Sequence, residues 1–499
     1  MKLLKVYISV FCMCSLSVLL NSCDDFLKEE PLDMKSSDQF WKTKADAESG
    51  VNALYFGGVP YLHNTDVGGG WTPKATMWGG IVSGLYVDKR KDRTFTTASE
   101  GCNFNIESFD DIAMKYWHEF YKGISRANFV IANIPTMTGV LDEATINNYV
   151  AQGKFFRAYG YFWLVKEFGG VPYISEPYTS TEGMYKERLS AEEVYKKIEA
   201  DLLDIVNGDA LPNKTFYENG CYVTRAMAQT LLAQVYLQWA GAPLNGGADY
   251  YGKAAQMALN VINDSPHGLI HPNGTTDDLN SAYNVIKTTK ESAEIIYAKE
   301  YNYSDYSVGN SYACRSIGTD AFQWGVFHPG GDVLYNAYLP CDMLLNSYAS
   351  NDIRGHEKQF FFKQYTDAEG NTHTLNNAGN WAWFDENALI SGHDGDYNMP
   401  VFRFAEVLLI AAEGLARTNH EDNAVGGAKY YLNQVRKRAG LADETATGND
   451  LIQSILTERL HELPLEFKIW DDIRRTRLYP EASTESGKLK WTALASAQI

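Results

Sequence analysis

The chain has 499 residues, long enough for one large domain or several smaller ones. Asp and Glu outnumber Lys and Arg by 62 to 44, a formal net charge of −18, and this balance excludes a general nucleic-acid binder, because phosphates demand a basic face. The seven cysteines contain no Cys-x-x-Cys pair, which leaves a zinc or dithiol motif without support.

Lys2 and Lys5 precede a mostly apolar run, Val6–Leu20. The run is too short to span a bilayer and has the length of a signal-peptide core. It stops at Leu20-Asn21-Ser22-Cys23, a pattern similar to a bacterial lipobox. A cut after Ser22 removes residues 1–22 as a signal peptide and leaves Cys23 to carry the lipid at the head of residues 23–499. Each buried methylene contributes about 0.8 kcal/mol, so more than one acyl chain makes a stable anchor. The acids that follow, Asp24, Asp25, Glu29 and Glu30, resemble the export signals that send some lipoproteins to the cell surface. No later apolar run reaches membrane-span length.

Thr43-Lys44-Ala45-Asp46 predicts a capping box, and Ala47, Val51, Leu54 and Tyr55 share a face of the helix behind it. Residues 114–134 predict a second helix that stops at Pro135. Residues 143–168 predict a long one, with Val150, Phe155, Ala158, Phe162, Val165 and Phe168 at three- or four-residue steps. Gly169-Gly170 and Pro172 end it. Ser190 and Glu193 form another capping box, with a helix to about Val206. The Ala-rich stretch 224–241 and residues 249–263 flank a turn with Pro243 and Gly246-Gly247. Their small residues predict an antiparallel hairpin of tetratricopeptide kind. A similar pair is expected at 402–418 and 424–439, and a last helix at about 450–463.

Two regions interrupt this pattern. Residues 57–113 are rich in glycine and aromatics, and residues 264–400 hold long stretches without helical period. Within the second, residues 360–375 predict a hairpin around Glu369-Gly370-Asn371. Irregular insertions in a helical scaffold are usual places for function.

Cys102, Cys221, Cys314 and Cys341 lie beyond the signal and the anchor, and both disulfides and buried free thiols fit them. His461-Glu462 begins like a zinc-protease motif, but Leu465 stands where the second histidine is needed. His393-Asp394-Gly395-Asp396 offers oxygens for calcium without the regular ligand loop. There is no Gly-x-Ser-x-Gly elbow and no phosphate loop, and no metal or cofactor is expected. Glu458, Arg459, Glu462 and Glu466 admit two readings, a carboxylate pair for glycoside hydrolysis or a helical ion-pair network.

Several stretches in one order resemble the SusD/RagB family of surface glycan- or peptide-capturing lipoproteins. They are DDFLKEEP behind Cys23, FFRAYGYFWLVKEFGGVPYI (155–174), TRAMAQTLLAQVYL (224–237), FRFAEVLLIAAEGLAR (402–417), LNQVRKRAGL (432–441) and TERLHELPLEF (457–467). In WDDIRRTRL (470–478), Asp472 and Arg475 fit the family pattern, whereas Phe467 and Ile469 replace a usual Gly and Arg, which puts a local ion pair in question. The resemblance implies a mainly α fold. It is a single domain built on a tetratricopeptide-like helix-pair scaffold, with irregular insertions at about 57–113 and 264–400 and a few short β-hairpins. It also implies an outer-membrane, cell-surface location, a SusC-like TonB-dependent transporter as partner, no catalysis, and ion-pair roles for the glutamate cluster and for Arg157, Arg403 and Arg436.

Sugar binding needs flat aromatic faces with polar side chains beside them. The resemblance places ligand sites in the two irregular regions, so Trp78 and Trp324 rank first. Trp71 follows, then Trp381 and Trp383, which project to one side if NWAWF is extended. Asp66, Arg90 and Asn103 are candidate partners for sugar hydroxyls. For each tryptophan core packing is the competing reading. The expected cargo is an oligosaccharide or polysaccharide, with a peptide-capturing lid or a surface glycosidase as alternatives.

Overall fold

Several helices in this protein begin where a side chain caps them. The computed structural model describes residues 39–56, 80–87, 111–178, 180, 183–306, 308–328 and 338–496. Helix α1 (Lys44–Asn52) opens on the predicted box, with Thr43 Oγ1 accepting from the Asp46 N–H and the Asp46 carboxylate accepting from the Thr43 N–H. Helix α2 is Asp111–Asn133 and tightens into a 3-10 turn at Ile134–Thr136, where Pro135 removes a donor. Helix α3 (Glu143–Phe168) starts at the Asp142 cap and ends at Gly169, φ 68°. The box at Ser190 and Glu193 opens α4 (Ala191–Val206), and Thr224 caps α5 (Arg225–Ala240). Then come α6 (Gly247–Asp264), α7 (Ala282–Thr288), α8 (Phe404–Ala416), α9 (Ala428–Arg438), α10 (Gly448–Glu462) and α11 (Ile469–Thr476).

Successive helices pack as neighbours: α2 on α3, α3 on α4, α4 on α5 and α5 on α6. Helix α8 then docks on α6 and carries α9 and α10. Every residue of α8 is buried, as expected for a helix surrounded by partners. Its Gly414 permits the contact with α6: a Cβ there would meet the Tyr251 carbonyl oxygen at 2.5 Å. No helix among the described residues is long and apolar enough to cross a membrane.

The strands are short: β1 (Tyr86–Val87), β2 (Ile295–Lys299), β3 (Leu339–Pro340), β4 (Phe361–Thr366), β5 (Thr372–Asn380), β6 (Met399–Arg403), β7 (Leu478–Ala482) and β8 (Leu489–Ala493). They pair antiparallel as β1–β3, β2–β6, β4–β5 and β7–β8. The β4–β5 hairpin is the one predicted from residues 360–375. The β2–β6 pair clamps residues 295–403, most of the second irregular region, aligning Ile295 with Arg403 and Lys299 with Met399. The expected helix at 402–418 therefore starts two residues later, because Phe402 and Arg403 finish β6. Its partner starts at Ala428 and not at 424.

The clamped region carries a small core of its own: Ile317, Ala321, Phe327, Phe362, Tyr365, Leu375, Phe384 and Leu389. The larger core fills the helix pairs. Where the larger core meets β2 and β6, it encloses charge. Arg403 reaches Glu294 at 2.8 Å and Glu462 at 3.0 Å, Arg438 reaches Glu294 at 2.6 Å and Glu462 at 2.5 Å, and Arg354 reaches Glu458 at 2.6 Å. A second knot joins Arg475 to Glu413 (2.6 Å) and Asp472 (2.7 Å), with Arg459 on Asp472 at 2.9 Å.

Phe467, where the resemblance leads one to expect glycine, has φ 61°, a conformation in which glycine meets no steric cost. Its ring packs near Trp383, Tyr338 and Tyr312. Ile469 is buried, and one carboxylate oxygen of Glu466 binds Arg403 while the other has no hydrogen-bond partner among the described residues. The Asp472–Arg475 pairing survives both replacements.

Candidate functional site

The predicted site residues separate into three groups. Trp71, Trp78, Asp66, Arg90 and Asn103 lie outside the described residues, as does Cys23. Trp381 and Trp383 are described but do not form the expected pair. NWAWF is a 3-10 turn (Trp381–Trp383), not an extended strand, so the two indoles diverge. Trp383 is core, 4% exposed, among Tyr312, Tyr338 and Phe467. Trp381 is half-buried, and its ring already has company. Phe384 stacks on it at 5.1 Å, its indole N–H donates to Asn284 Oδ1 at 2.7 Å, and the Lys287 ammonium sits 4.1 Å from the ring.

Trp324 stands apart. It ends a 3-10 turn (Thr319–Trp324) stopped by Gly325 at φ 73°, and it lies against the β4–β5 hairpin. Its ring stacks on His373 at 4.7 Å and 17°, and runs parallel to Tyr365 at 6.1 Å. Tyr365 and His373 face each other across the two strands. The indole therefore rests on a cross-strand aromatic pair and is itself half-buried, packed against the small core. His373 Nε2 is held 2.8 Å from Asp367 Oδ2. That hydrogen bond, with those from the Asn371 side chain and the backbone of Asn371 and Glu369, draws the Asp367 carboxyl down to about 2. Asp367 thereby fixes both the hairpin turn and the imidazole under Trp324.

A second aromatic surface is joined to this one, and the sequence reading did not single it out. Tyr303 stacks on His393 at 4.4 Å and 16°, and Tyr306 beside it is 76% exposed. The short helix Glu386–Ser391 connects the two surfaces. Glu386 accepts a short hydrogen bond from the Tyr365 hydroxyl, and its cap residue Asp385 accepts from the Asp396 N–H at 3.0 Å. Asp396 in turn accepts from the Ser304 hydroxyl at 2.6 Å. The available signal was tyrosine at every second or third position of YNYSDY (301–306), inside a stretch without helical period. The same bonds occupy Asp396, and among the described residues no group of three or more His, Cys, Asp or Glu could hold a metal ion, so the 393–396 calcium reading finds no ligand set there.

The glutamate cluster takes the ion-pair reading. Burial pushes the Glu462 carboxyl up, but the guanidiniums of Arg438, Arg403 and Arg354 outweigh it and hold the group below the ordinary range. Glu458 is buried too, and there burial wins over Arg354 and Arg436 and raises it. Both sit inside the core on arginines, with no surface from which to meet a glycosidic bond. Arg157 grips Asp201 through two nitrogens at 2.7 and 2.8 Å, and Arg436 reaches Glu458 at 3.3 Å. His461 is 2.8 Å from the Ser347 hydroxyl and stacks on Tyr348, and burial, helped by Arg354, lowers it to about 3. Cys221 and Cys341 are free thiols, and burial pushes the first up to about 11.

Comparison with known proteins covers both ends of the chain. Residues 322–490 match the family described as "SusD family", and residues 81–237 match "Starch-binding associating with outer membrane". The SusD-like protein P2 of Formosa agariphila is 27% identical over 95% of this chain and 91% of its own. A SusD superfamily protein from Parabacteroides distasonis superposes with a TM-score of 0.78 at 24% identity, over 91% of this chain and 92% of that one. The surface glycan-binding protein A of Bacteroides thetaiotaomicron, in complex with laminarihexaose, superposes with a TM-score of 0.66 at 22% identity, over 87% and 90%. The two matched stretches, the curated relative aligned over nearly the whole chain and the shared fold make this chain similar to SusD-like proteins from end to end.

Proposed function

We propose that this protein is a cell-surface lipoprotein that binds an oligosaccharide or polysaccharide without cleaving it and delivers it to a SusC-like TonB-dependent outer-membrane transporter. The mature domain is residues 23–499, anchored by a lipid on Cys23. The half-buried indole of Trp324 on the Tyr365–His373 pair carries the reading, because a flat ring held rigidly from behind suits the apolar face of a pyranose. Tyr303 and Tyr306 extend the aromatic surface, and Trp78, Trp71, Asp66, Arg90 and Asn103 remain candidates from the first irregular region. A relative in complex with laminarihexaose supports a glycan cargo.

The test is calorimetry of residues 24–499 against a panel of polysaccharides, laminarin among them, with Trp324→Ala beside the wild type. Binding that weakens about tenfold in the variant, or about 1–1.5 kcal/mol, at unchanged melting temperature supports the platform. Unchanged affinity removes Trp324 from the site. Silence across all glycans moves the cargo to peptides. New reducing ends in the incubated glycan overturn the non-catalytic reading.

A further inference from the structure

Beside the small core, the last turn of α7 carries a lysine in unusual company. The Lys287 ammonium lies 4.1 Å from the Trp381 ring centroid, 5.1 Å from Tyr397 and 5.8 Å from Phe384. It makes no hydrogen bond or ion pair among the described residues, although an ammonium has three donors to satisfy. The side chain lines a cavity of about 60 Å³, room for several waters, whose wall includes Tyr283, Asn310, Trp383, Asn398 and Glu466.

Two effects compete at this nitrogen. The ring faces and the carboxylates of Asp385 and Glu386 favour the ammonium, as does the C-terminal end of α7. Loss of water favours the neutral amine. Loss of water prevails and draws Lys287 down to about 7.

We propose that Lys287 is a nucleophilic amine in the wall of this cavity and condenses reversibly with small aldehydes, including the open-chain reducing end of a sugar. The nitrogen lone pair forms a bond to the carbonyl carbon, and the carbonyl π pair moves to oxygen, which takes a proton. The nitrogen gives up its protons, the oxygen leaves as water, and an imine remains. No oxidant or reductant is required. This is the chemistry a neutral lysine supports and a hydrated surface lysine does not. It does not depend on the glycan-delivery reading.

The experiment incubates residues 24–499 with glyceraldehyde at pH 7, traps the imine by reduction with cyanoborohydride, and maps the adducts by peptide mass spectrometry. The exposed Lys44, Lys196 and Lys488 serve as internal references. Labelling of Lys287 at least tenfold faster than these three supports the proposal, and equal or slower labelling overturns it. A pH profile with an activated ester gives a second reading on the unaltered protein. A rise centred near pH 7 at Lys287 supports the proposal, and a rise centred above pH 9 overturns it.

Discussion

Two regions of this molecule hold the residues that invite a chemical reading, and they use them in opposite ways. Between β2, β6 and helices α9 and α10, arginine and glutamate alternate inside the core, and Glu462 meets Arg403, Arg438 and Arg354 at once. Around the β4–β5 hairpin, the aromatic residues build a small core with rings at its edge, Trp324 and Trp381, that are only partly buried. The first region pairs most of its charges internally, so its main work is to fix how helices dock. The second leaves ring surface unsatisfied, and that surface is where binding energy is available. A residue type does not announce a site; an unfilled partner does.

The largest effect is expected where the charge network is broken. Glu462→Ala leaves three buried arginines short of a carboxylate and should cost about 5 kcal/mol in urea unfolding. A loss below about 1 kcal/mol would mean that the network does not fix the scaffold. Next, the two tryptophans should part company. Trp383→Ala opens a hole in the core and should cost about 4 kcal/mol, whereas Trp324→Ala should leave the melting temperature nearly unchanged. Equal losses would make Trp324 a core residue and close the comparison.

A third test uses acid. Burial raises the Asp471 carboxyl, but Lys166 at 2.6 Å and Arg474 at 2.7 Å outweigh it and bring the group down to about 2. A carboxyl held below its unfolded value stabilises the fold above that value and loses the contribution as pH falls through the folded one. Wild type should therefore exceed Asp471→Asn by about 2 kcal/mol at pH 7, a gap that closes between about pH 4 and pH 2. A gap independent of pH would remove the charge from the explanation. The smallest effect lies on the scaffold away from both regions. Arg477 caps α11 at φ 57° on the surface, and Arg477→Gly should stabilise by about 0.5–1 kcal/mol in the same unfolding assay. Destabilisation would show that its side chain matters more than its backbone.

The sequence by itself determined the helix scaffold and the hairpin. Capping at Thr43 and Ser190, the stop at Gly169 and the turn at Glu369-Gly370-Asn371 act within a few residues, and local hydrogen bonds and φ preferences need no distant partner. It also exposed the family resemblance, because the matching stretches keep one order along the chain. Tertiary structure decided the rest. Whether Trp381, Trp383 or Trp324 is available depends on Asn284, Phe467 and His373, residues from 49 to 97 positions away that no spacing rule connects. Likewise Glu458 and Glu462 became a structural knot only when β2 and β6 brought Glu294 and Arg403 to them, since a carboxylate's role is set by the charges and the water around it.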